Sequence, residues 1–376
     1  MPSLATDPSR PLALLIAHAG SLAELQTAAA GVDALIEALH AAATPVEQIA
    51  TAVRDLNRPL FARLWALLAP PALVANSCLI VMGSEGRGEQ ILKTDQDNAL
   101  LLRDGYVGPA FGPLALSRLT ARFTAALIEL GYPRCPGNIM LSQPLWCQPV
   151  AAFRASLGDW LFGAAPDGAM NLAIFLDAAT VAGDARLLAQ ARAFVDDFLV
   201  DDDAFFARFA SAVDQFGADP GASWWARLTG WRAGAAADDD MVFDLKKIGL
   251  FPLVHGVRAL ALQYRISVPG TAARLAALAA RGLLPELLAS ELTQALHQLM
   301  ALKLDHNLRQ LQAARNASDA STANAANAVN TSAVGIDNLV ALASLTAAQR
   351  EALQNALAAV KNLRQHLRLH YRLGAL

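Results

Sequence analysis

Two aspartates separated by one residue are the sequence feature that most clearly suggests chemistry. Asp95 and Asp97 directly precede the apolar run 98–102, which predicts a buried strand. Alternate side chains along a strand point to one face, and two adjacent carboxylates are unfavourable without a cation between them. Mg²⁺ prefers such hard oxygen ligands, so the pair predicts a magnesium site. The same spacing occurs at 201–203 and 238–240, where solvated loops or helix caps are expected, so the sequence upstream of Asp95 decides.

A glycine-serine pair is separated from these aspartates by ten residues. The apolar run 77–82 predicts a strand that ends at Gly83, with a helix beginning directly after it. Glycine lets the backbone approach a phosphate closely, and the Ser84 hydroxyl and nearby N–H groups can bind an anion. Arg87 and Lys93 add positive charge to the same segment. The residues of this segment predicted to bind phosphate are Gly83, Ser84, Arg87, Lys93 and Thr94.

Other polar residues carry weaker signals. Glu85 and Glu89 flank Arg87 and would either orient it or face solvent as surface charges. The segment 133–149 is rich in Pro, Gly, Asn and Ser, which predicts a long loop near the site. His255 lies in an apolar helical run, which favours a core histidine over a catalytic one.

The segment GSEGRGEQILKTDQDNALLL resembles the signature of the polymerase-beta nucleotidyltransferase superfamily. Gln96 and Asn98 replace the apolar residues usual in that signature, but they agree with a narrower bacterial nucleotidyltransferase family. Members of this family are similar to the PII-protein uridylyltransferases and are often fused to CBS and cyclic-nucleotide-binding domains, neither of which is recognisable here. Residues 244–258 resemble the family's C-terminal helical domain, to which substrate binding is ascribed. The two resemblances together cover most of the chain after about residue 45.

The resemblance implies a transfer of a nucleoside monophosphate to a hydroxyl group. In this scheme Asp95 and Asp97 hold two Mg²⁺ ions, or Mn²⁺, with a nucleoside triphosphate, and pyrophosphate leaves after attack on the α-phosphate. A third carboxylate on a later strand would bind metal and activate the acceptor hydroxyl. Asp177 is the predicted third carboxylate because it closes the apolar run NLAIFLD, a candidate third strand, and Asp184 and Asp159 are the alternatives.

The sequence leaves two questions with alternatives: which molecule carries the acceptor hydroxyl group, and whether the protein catalyses transfer at all. Similarity to the uridylyltransferases favours a protein acceptor, and a small-molecule acceptor is the alternative. Lys246 and Lys247 are candidate substrate-binding residues, although an exposed lysine pair at a helix start is ordinary. A different class of function is a non-catalytic sensor that binds nucleotide and signals through its helices.

Composition narrows the class of protein. Hydrophobic residues make up 55% of the chain and charged residues 17%, enough to bury sizeable cores. A net charge of −3 argues against a nucleic acid partner bound through a broad basic face. The three cysteines form no CxxC pair, which favours reduced thiols and a cytoplasmic location. No apolar run reaches the length of a membrane span.

These observations predict a helix-rich α+β protein in three parts. An N-terminal helical segment, 1–70, precedes a polymerase-beta-like nucleotidyltransferase domain with a small mixed sheet, 71–185. An all-α substrate-binding domain, 186–376, follows and contains a flexible loop predicted from composition at 313–335. The site is expected in a cleft between the last two parts, and the helical regions could mediate a homodimer.

Overall fold

The computed structural model describes residues 8–107, 113–199, 202–215, 241–321 and 337–373. The chain forms two compact units, and the boundary between them falls after Phe198. The predicted α+β fold class with a small mixed sheet is confirmed.

The first unit begins with three helices that pack on one another: α1 (Arg10–His18), α2 (Leu22–Ala41) and α3 (Val46–Leu68). The Ser21 side chain caps α2 by accepting a hydrogen bond from the Glu24 amide. One face of α3 is buried and apolar, from Ile49 through Leu56 to Leu64. These helices belong to the same compact unit as the sheet that follows.

A four-stranded sheet forms the centre of the first unit, in the order β3-β2-β1-β4. Its strands are β1 (Ser77–Val81), β2 (Asn98–Leu102), β3 (Cys147–Pro149) and β4 (Ala179–Gly183). The β1 strand is antiparallel to both β2 and β4, whereas β2 and β3 are parallel. Every residue of β1 and β2 is buried, which explains why both read as continuous apolar runs. The strands predicted at 77–82 and 98–102 are therefore confirmed.

Helices surround this sheet within the unit. A short helix, α4 (Pro71–Ala75), precedes β1, and a single turn, α5 (Gly83–Arg87), follows it. The remaining helices are α6 (Pro113–Glu129), α7 (Val150–Phe162), α8 (Gly168–Phe175) and α9 (Ala185–Phe198).

The third strand predicted over NLAIFLD is wrong. These residues form most of α8 and the turn after it, and the strand that pairs with β1 is β4, which begins at Ala179. A short apolar run that is buried on all sides has the same pattern in a helix and in a strand, so periodicity could not distinguish them. Asp177 consequently lies in a turn between α8 and β4 and not at the end of a strand.

The second unit is mostly helical. Two short strands, β5 (Val242–Asp244) and β6 (Leu339–Ala341), pair antiparallel beside a π-helical turn at Lys246–Leu250. Its helices are α10 (Asp203–Ala210), α11 (Ala212–Gln215), α12 (Phe251–Gln263), α13 (Thr271–Ala280), α14 (Glu286–Ser321) and α15 (Ala347–His370). Gly256 lets α12 approach α15 closely, because a Cβ there would lie 2.7 Å from Leu367 Cδ1.

The prediction of a flexible loop over 313–335 is wrong for its first nine residues, 313–321. Residues 313–321 continue α14, because the alanines of this tract are strong helix formers, whereas 322–336 lie outside the described residues. Asp202 caps α10 as expected for an aspartate-rich helix start, and Asp201 and 238–240 lie outside the described residues. Among the helices that the structure describes, none is long and apolar enough to cross a membrane.

Candidate functional site

The turn after β1 brings the two predicted motifs together. Gly83 has a φ of 56°, a left-handed conformation that favours glycine. A Cβ atom at Gly83 would overlap Oδ2 of Asp97, so the carboxylate lies directly against the glycine backbone. The Met82 amide also donates a 2.9 Å hydrogen bond to the carbonyl oxygen of Asp97. The glycine-serine turn and the second aspartate thus form one site.

Side chains alternate along the segment that enters β2. Gln96 and Asn98 are buried, whereas Asp95 and Asp97 are half-buried and therefore share the more accessible face. Asn98 Nδ2 donates a hydrogen bond to Gln96 Oε1 at 3.3 Å. Asn98 Oδ1 accepts a hydrogen bond from the backbone N–H of Leu141 at 2.9 Å. The two polar residues that depart from the wider superfamily pattern therefore secure the neighbouring loop.

The loop 133–149 does lie beside the site. The backbone of Gln96 forms an isolated parallel β-bridge with that of Arg134. The Cys135 thiol donates a hydrogen bond to the Asp97 side chain. Burial, together with the negative charge of Asp97, raises the pKa of Cys135 to about 12. The thiol therefore stays protonated at neutral pH and acts as a donor to the carboxylate.

The donor set fits a divalent cation that is shared with a nucleotide. Mg²⁺ in nucleotide sites is commonly held by one or two carboxylates and by phosphate oxygens. Asp95 and Asp97 are two carboxylates on the more accessible side of their segment, and that of Asp97 lies against Gly83, which has no side chain. Across the described residues, no group of three or more His, Cys, Asp or Glu side chains is arranged to hold a metal by itself. Within this described part of the chain, Asp177 therefore forms no such group with Asp95 and Asp97.

Asp177 instead pairs with Arg87. The distance from Arg87 Nη1 to Asp177 Oδ2 is 2.6 Å, and the Asp177 side chain is fully buried. Arg87 Nε also contacts Glu89 Oε2 at 2.5 Å. Burial opposes the charge on Arg87, but the two carboxylates outweigh it and raise the pKa of the guanidinium. Of the two glutamates that flank Arg87 in sequence, Glu89 is the one that orients it.

The backbone on either side of this ion pair is also tightly packed. A Cβ atom at Gly86 would overlap the carbonyl oxygen of Asp177, so only glycine fits there. The other candidates for a third carboxylate lie elsewhere: Asp184 pairs with Arg103 and Arg186 at 2.9 and 2.8 Å, and Asp159 is exposed on α7. Asp177 and Arg87 thus fix the position of the turn.

Lys93 faces α2, which the sequence could not show. Its Nζ lies 2.6 Å from Asp33 Oδ2 and donates to the carbonyl oxygen of Ala29 at 2.8 Å. Burial lowers the pKa of Lys93, although Asp33 opposes the shift. The adjacent Thr94 accepts a 3.0 Å hydrogen bond from Gln90. The prediction that Lys93 binds phosphate does not match this arrangement, because its ammonium group is occupied by α2.

A buried polar network from α3 to α5 was not anticipated. Asn57 Nδ2 donates to Glu85 Oε2 at 2.9 Å, and Tyr132 Oη donates to Asn57 Oδ1 at 2.6 Å. Arg58 Nη2 donates to the carbonyl oxygens of Glu85 and Gly86 at 3.2 and 3.0 Å. Burial raises the pKa of Glu85 to about 7, although Asn57 and two arginines oppose it. The polar Asn57 within the apolar face of α3 was the available signal.

Two family models match the sequence. Residues 30–167 match "Putative nucleotidyltransferase DUF294", and residues 203–325 match "Putative nucleotidyltransferase substrate binding domain". The chain belongs to this nucleotidyltransferase family. The first matched range includes α3 and the whole turn, whereas Asp177 lies outside both ranges. No curated protein matches the sequence.

The two candidate acceptor-binding lysines lie in the range that matches the substrate-binding domain of this nucleotidyltransferase family. Lys246 and Lys247 are exposed on the π-helical turn, a rare geometry that often occurs at functional sites. The Lys247 amide donates to Asp244 Oδ1 at 3.0 Å, so Asp244 caps this turn. His255 is buried and lies 2.8 Å from the carbonyl oxygen of Phe209, as expected for a core histidine.

Proposed function

We propose that the protein is a magnesium-dependent nucleotidyltransferase that moves a nucleoside monophosphate from a triphosphate to an acceptor hydroxyl group. The observation that carries this proposal is the contact between the Asp97 carboxylate and the backbone of Gly83. It joins a proposed cation ligand to the glycine turn proposed to bind phosphate, and phosphoryl-type transfer needs these two parts close together. The family match supports nucleotidyl transfer in general.

The residues at the turn divide the work of holding the nucleotide. Asp95 and Asp97 would hold Mg²⁺ or Mn²⁺ together with phosphate oxygens, and a bound cation neutralises charge that develops on the leaving pyrophosphate. The backbone of Gly83 and the hydroxyl group of Ser84 would contact the β- and γ-phosphates. Cys135 donates to Asp97 and so fixes the orientation of that carboxylate.

Arg87 and Asp177 act on the nucleotide indirectly in this proposal. Their buried ion pair ties the turn of α5 to the segment that precedes β4. Arg87 thus positions the turn and does not bind phosphate itself. Asp177 has a structural role in this proposal and does not bind metal. Positioning of this kind is a major part of catalysis in phosphoryl transfer.

The acceptor is proposed to be a hydroxyl group on a protein, by similarity to the uridylyltransferases, or on a small molecule. Lys246 and Lys247 are the proposed acceptor contacts, because both are exposed within the family's substrate-binding domain. Two neighbouring ammonium groups favour an acceptor with acidic groups near its hydroxyl.

A nucleotide-binding sensor is the second candidate function. It is favoured by one observation, which is that Asp177 is occupied by Arg87 while the described residues hold no third carboxylate beside Asp95 and Asp97. A two-carboxylate site can bind a metal–nucleotide complex without activating an acceptor. The sensor would bind triphosphate with Mg²⁺ and release no pyrophosphate.

The decisive experiment measures binding and turnover separately. The protein is incubated with Mg²⁺, each labelled triphosphate and a lysate of acceptor proteins, and pyrophosphate release is measured beside nucleotide binding. Transfer that is lost in Asp97→Asn and kept in Asp197→Asn, an exposed aspartate on α9, supports the enzyme. Magnesium-dependent binding without turnover on any acceptor supports the sensor, and the absence of both would overturn the two proposals.

A further inference from the structure

A chain of three buried side chains links α3 to the phosphate-binding turn. Tyr132 donates to Asn57, and Asn57 donates to Oε2 of Glu85. The three residues are 1%, 0% and 5% exposed. The second carboxyl oxygen of Glu85, Oε1, is buried and has no hydrogen-bond partner among the described residues, and the same holds for Nε of Arg58. A buried carboxyl group with an unsatisfied oxygen is costly when it is ionised.

Arg58 lies beside Glu85 but donates its hydrogen bonds to the backbone. Its Nη2 contacts the carbonyl oxygens of Glu85 and Gly86, near the carboxyl end of α5. A cation at this end of a helix stabilises the terminal carbonyl groups. The other groups whose charge acts on Glu85 or responds to it are Arg54 on α3 and the Tyr132 hydroxyl. Arg58 is therefore the cation best placed to choose between the backbone and the carboxylate.

We propose that Glu85 is a positioning residue whose neutral carboxyl group leaves Arg58 on the carbonyl groups of α5, which holds the Gly83–Gly88 turn in its phosphate-binding form. When Glu85 is ionised, its carboxylate takes Arg58 as an ion-pair partner and the backbone carbonyl groups lose their donor. The consequence for nucleotide binding rests on the proposed function, whereas the change in the turn does not.

Two features of the structure support this assignment. Burial raises the pKa of Glu85 to about 7, so both forms are accessible near neutral pH. Oε1 of Glu85 and Nε of Arg58 both lack a hydrogen-bond partner among the described residues, so the two side chains are not paired in this arrangement. The guanidinium, whose Nη2 bonds the backbone, would have to reorient to form a charge-assisted pair with the carboxylate. The neutral amide of glutamine would keep the acceptor for Asn57 and would not ionise, which makes Glu85→Gln the informative variant.

The first test follows amide hydrogen exchange of the peptide that contains residues 83–89, without nucleotide, between pH 6 and 8.5. Wild type and Glu85→Gln should exchange alike at pH 6, and the wild-type turn should exchange several-fold faster than the variant above pH 7.5. Glu129→Gln, an exposed glutamate on α6, is the matched control and should follow wild type. Equal exchange in wild type and Glu85→Gln at every pH would overturn the proposal.

A second variant, at Arg58, keeps the proposal testable if Glu85→Gln does not fold. Arg58→Gln removes the cation and should exchange fast in the turn at both ends of the pH range, with no further change as the pH rises. A turn in Arg58→Gln that keeps the wild-type pH dependence would also overturn the proposal.

The second test measures binding of Mg·ATP at pH 6 and pH 8.5. Because the phosphate groups of the ligand can titrate in the same range, the quantity of interest is the ratio of wild-type to Glu85→Gln dissociation constants. This ratio should rise about tenfold from pH 6 to pH 8.5, and a constant ratio contradicts the proposal. If neither protein binds any triphosphate, the proposed function fails, and the exchange experiment still decides the role of Glu85.

Discussion

The carboxylate of Asp97 lies against the α-carbon of Gly83, at a distance that leaves no room for a side chain on residue 83. Fourteen positions of sequence separate a turn and a strand entrance that the fold joins in one contact. The contact is stabilised by the hydrogen bond from the Met82 amide to the Asp97 carbonyl oxygen. The proposed metal-binding and phosphate-binding parts of the site are consequently joined through their backbone.

Comparing Gly83→Ala with Gly105→Ala should distinguish loss of the Gly83–Asp97 contact from backbone strain alone. An alanine with a φ of 56° costs about 1–2 kcal/mol, and its methyl group also displaces the Asp97 carboxylate. We expect at least a tenfold loss of Mg·ATP affinity, measured by calorimetry. Gly105→Ala is the matched control, because Gly105 has a φ of 69° and nothing within 4 Å of its Cβ position. Unchanged Mg·ATP affinity in Gly83→Ala would show that the contact does not shape the site.

The Arg87–Asp177 pair should behave as a buried structural ion pair. Removing one partner leaves an uncompensated charge, so Asp177→Ala should lower the free energy of unfolding by roughly 3–5 kcal/mol. The exposed pair between Arg103 and Asp184 should contribute only about 0–1 kcal/mol, because Arg103 is 45% exposed. Double-mutant cycles in urea measure both coupling energies. A stable Asp177→Asn protein that has lost only magnesium-dependent turnover would instead support a metal ligand.

Glu85 should give the protein a characteristic dependence of stability on pH. Its pKa is raised in the folded state, so the stabilisation by the neutral group is complete below pH 4.5 and is lost as the pH rises through about 7. The shift of pKa corresponds to a loss on the order of 3 kcal/mol across this range. Urea unfolding at pH 5 and pH 8 should therefore show Glu85→Gln gaining stability relative to wild type at the higher pH. Equal pH dependence in both proteins would mean that Glu85 ionises normally.

The thiol beside the site should be chemically inert in the folded protein. Burial and Asp97 raise the pKa of Cys135 from 9.0 to about 12, which reduces its thiolate fraction at pH 8 about a thousandfold. Iodoacetamide should label Cys135 much more slowly in the native protein than in urea, as followed by peptide mass spectrometry. Cys147, whose pKa burial raises to about 11, should be protected about tenfold less than Cys135. Rapid native labelling of Cys135 would contradict its role as a hydrogen-bond donor.

Local patterns predicted the structural elements that depend mainly on residues close together in the sequence. The apolar runs 77–82 and 98–102 are short and are bounded by Gly83 and by the polar segment 95–97, and these flanking signals favoured strands over helices. The sequence also predicted that Asp95 and Asp97 lie on the face opposite Gln96, because this alternation depends only on strand geometry.

Partners that lie far apart in sequence could not be predicted in the same way. Arg87 and Lys93 both looked available to a phosphate, but their partners Asp177 and Asp33 are 90 and 60 positions away. A single sequence gives the charge of a side chain and not the carboxylate that neutralises it. The helix of residues 168–175 was mistaken for a strand for a related reason, since its burial comes from tertiary packing.

The hydrogen bonds that α2 and α3 supply have a consequence for cutting or recombining the chain. A fragment that starts at Pro71 would contain the complete sequence motif but would lose Asp33 and Asn57, leaving Lys93 and Glu85 without their partners. Such a fragment should misfold or aggregate, although it carries every predicted ligand of the nucleotide. In a chimera between relatives, the helices before the sheet and the turn after β1 would have to be inherited as one block.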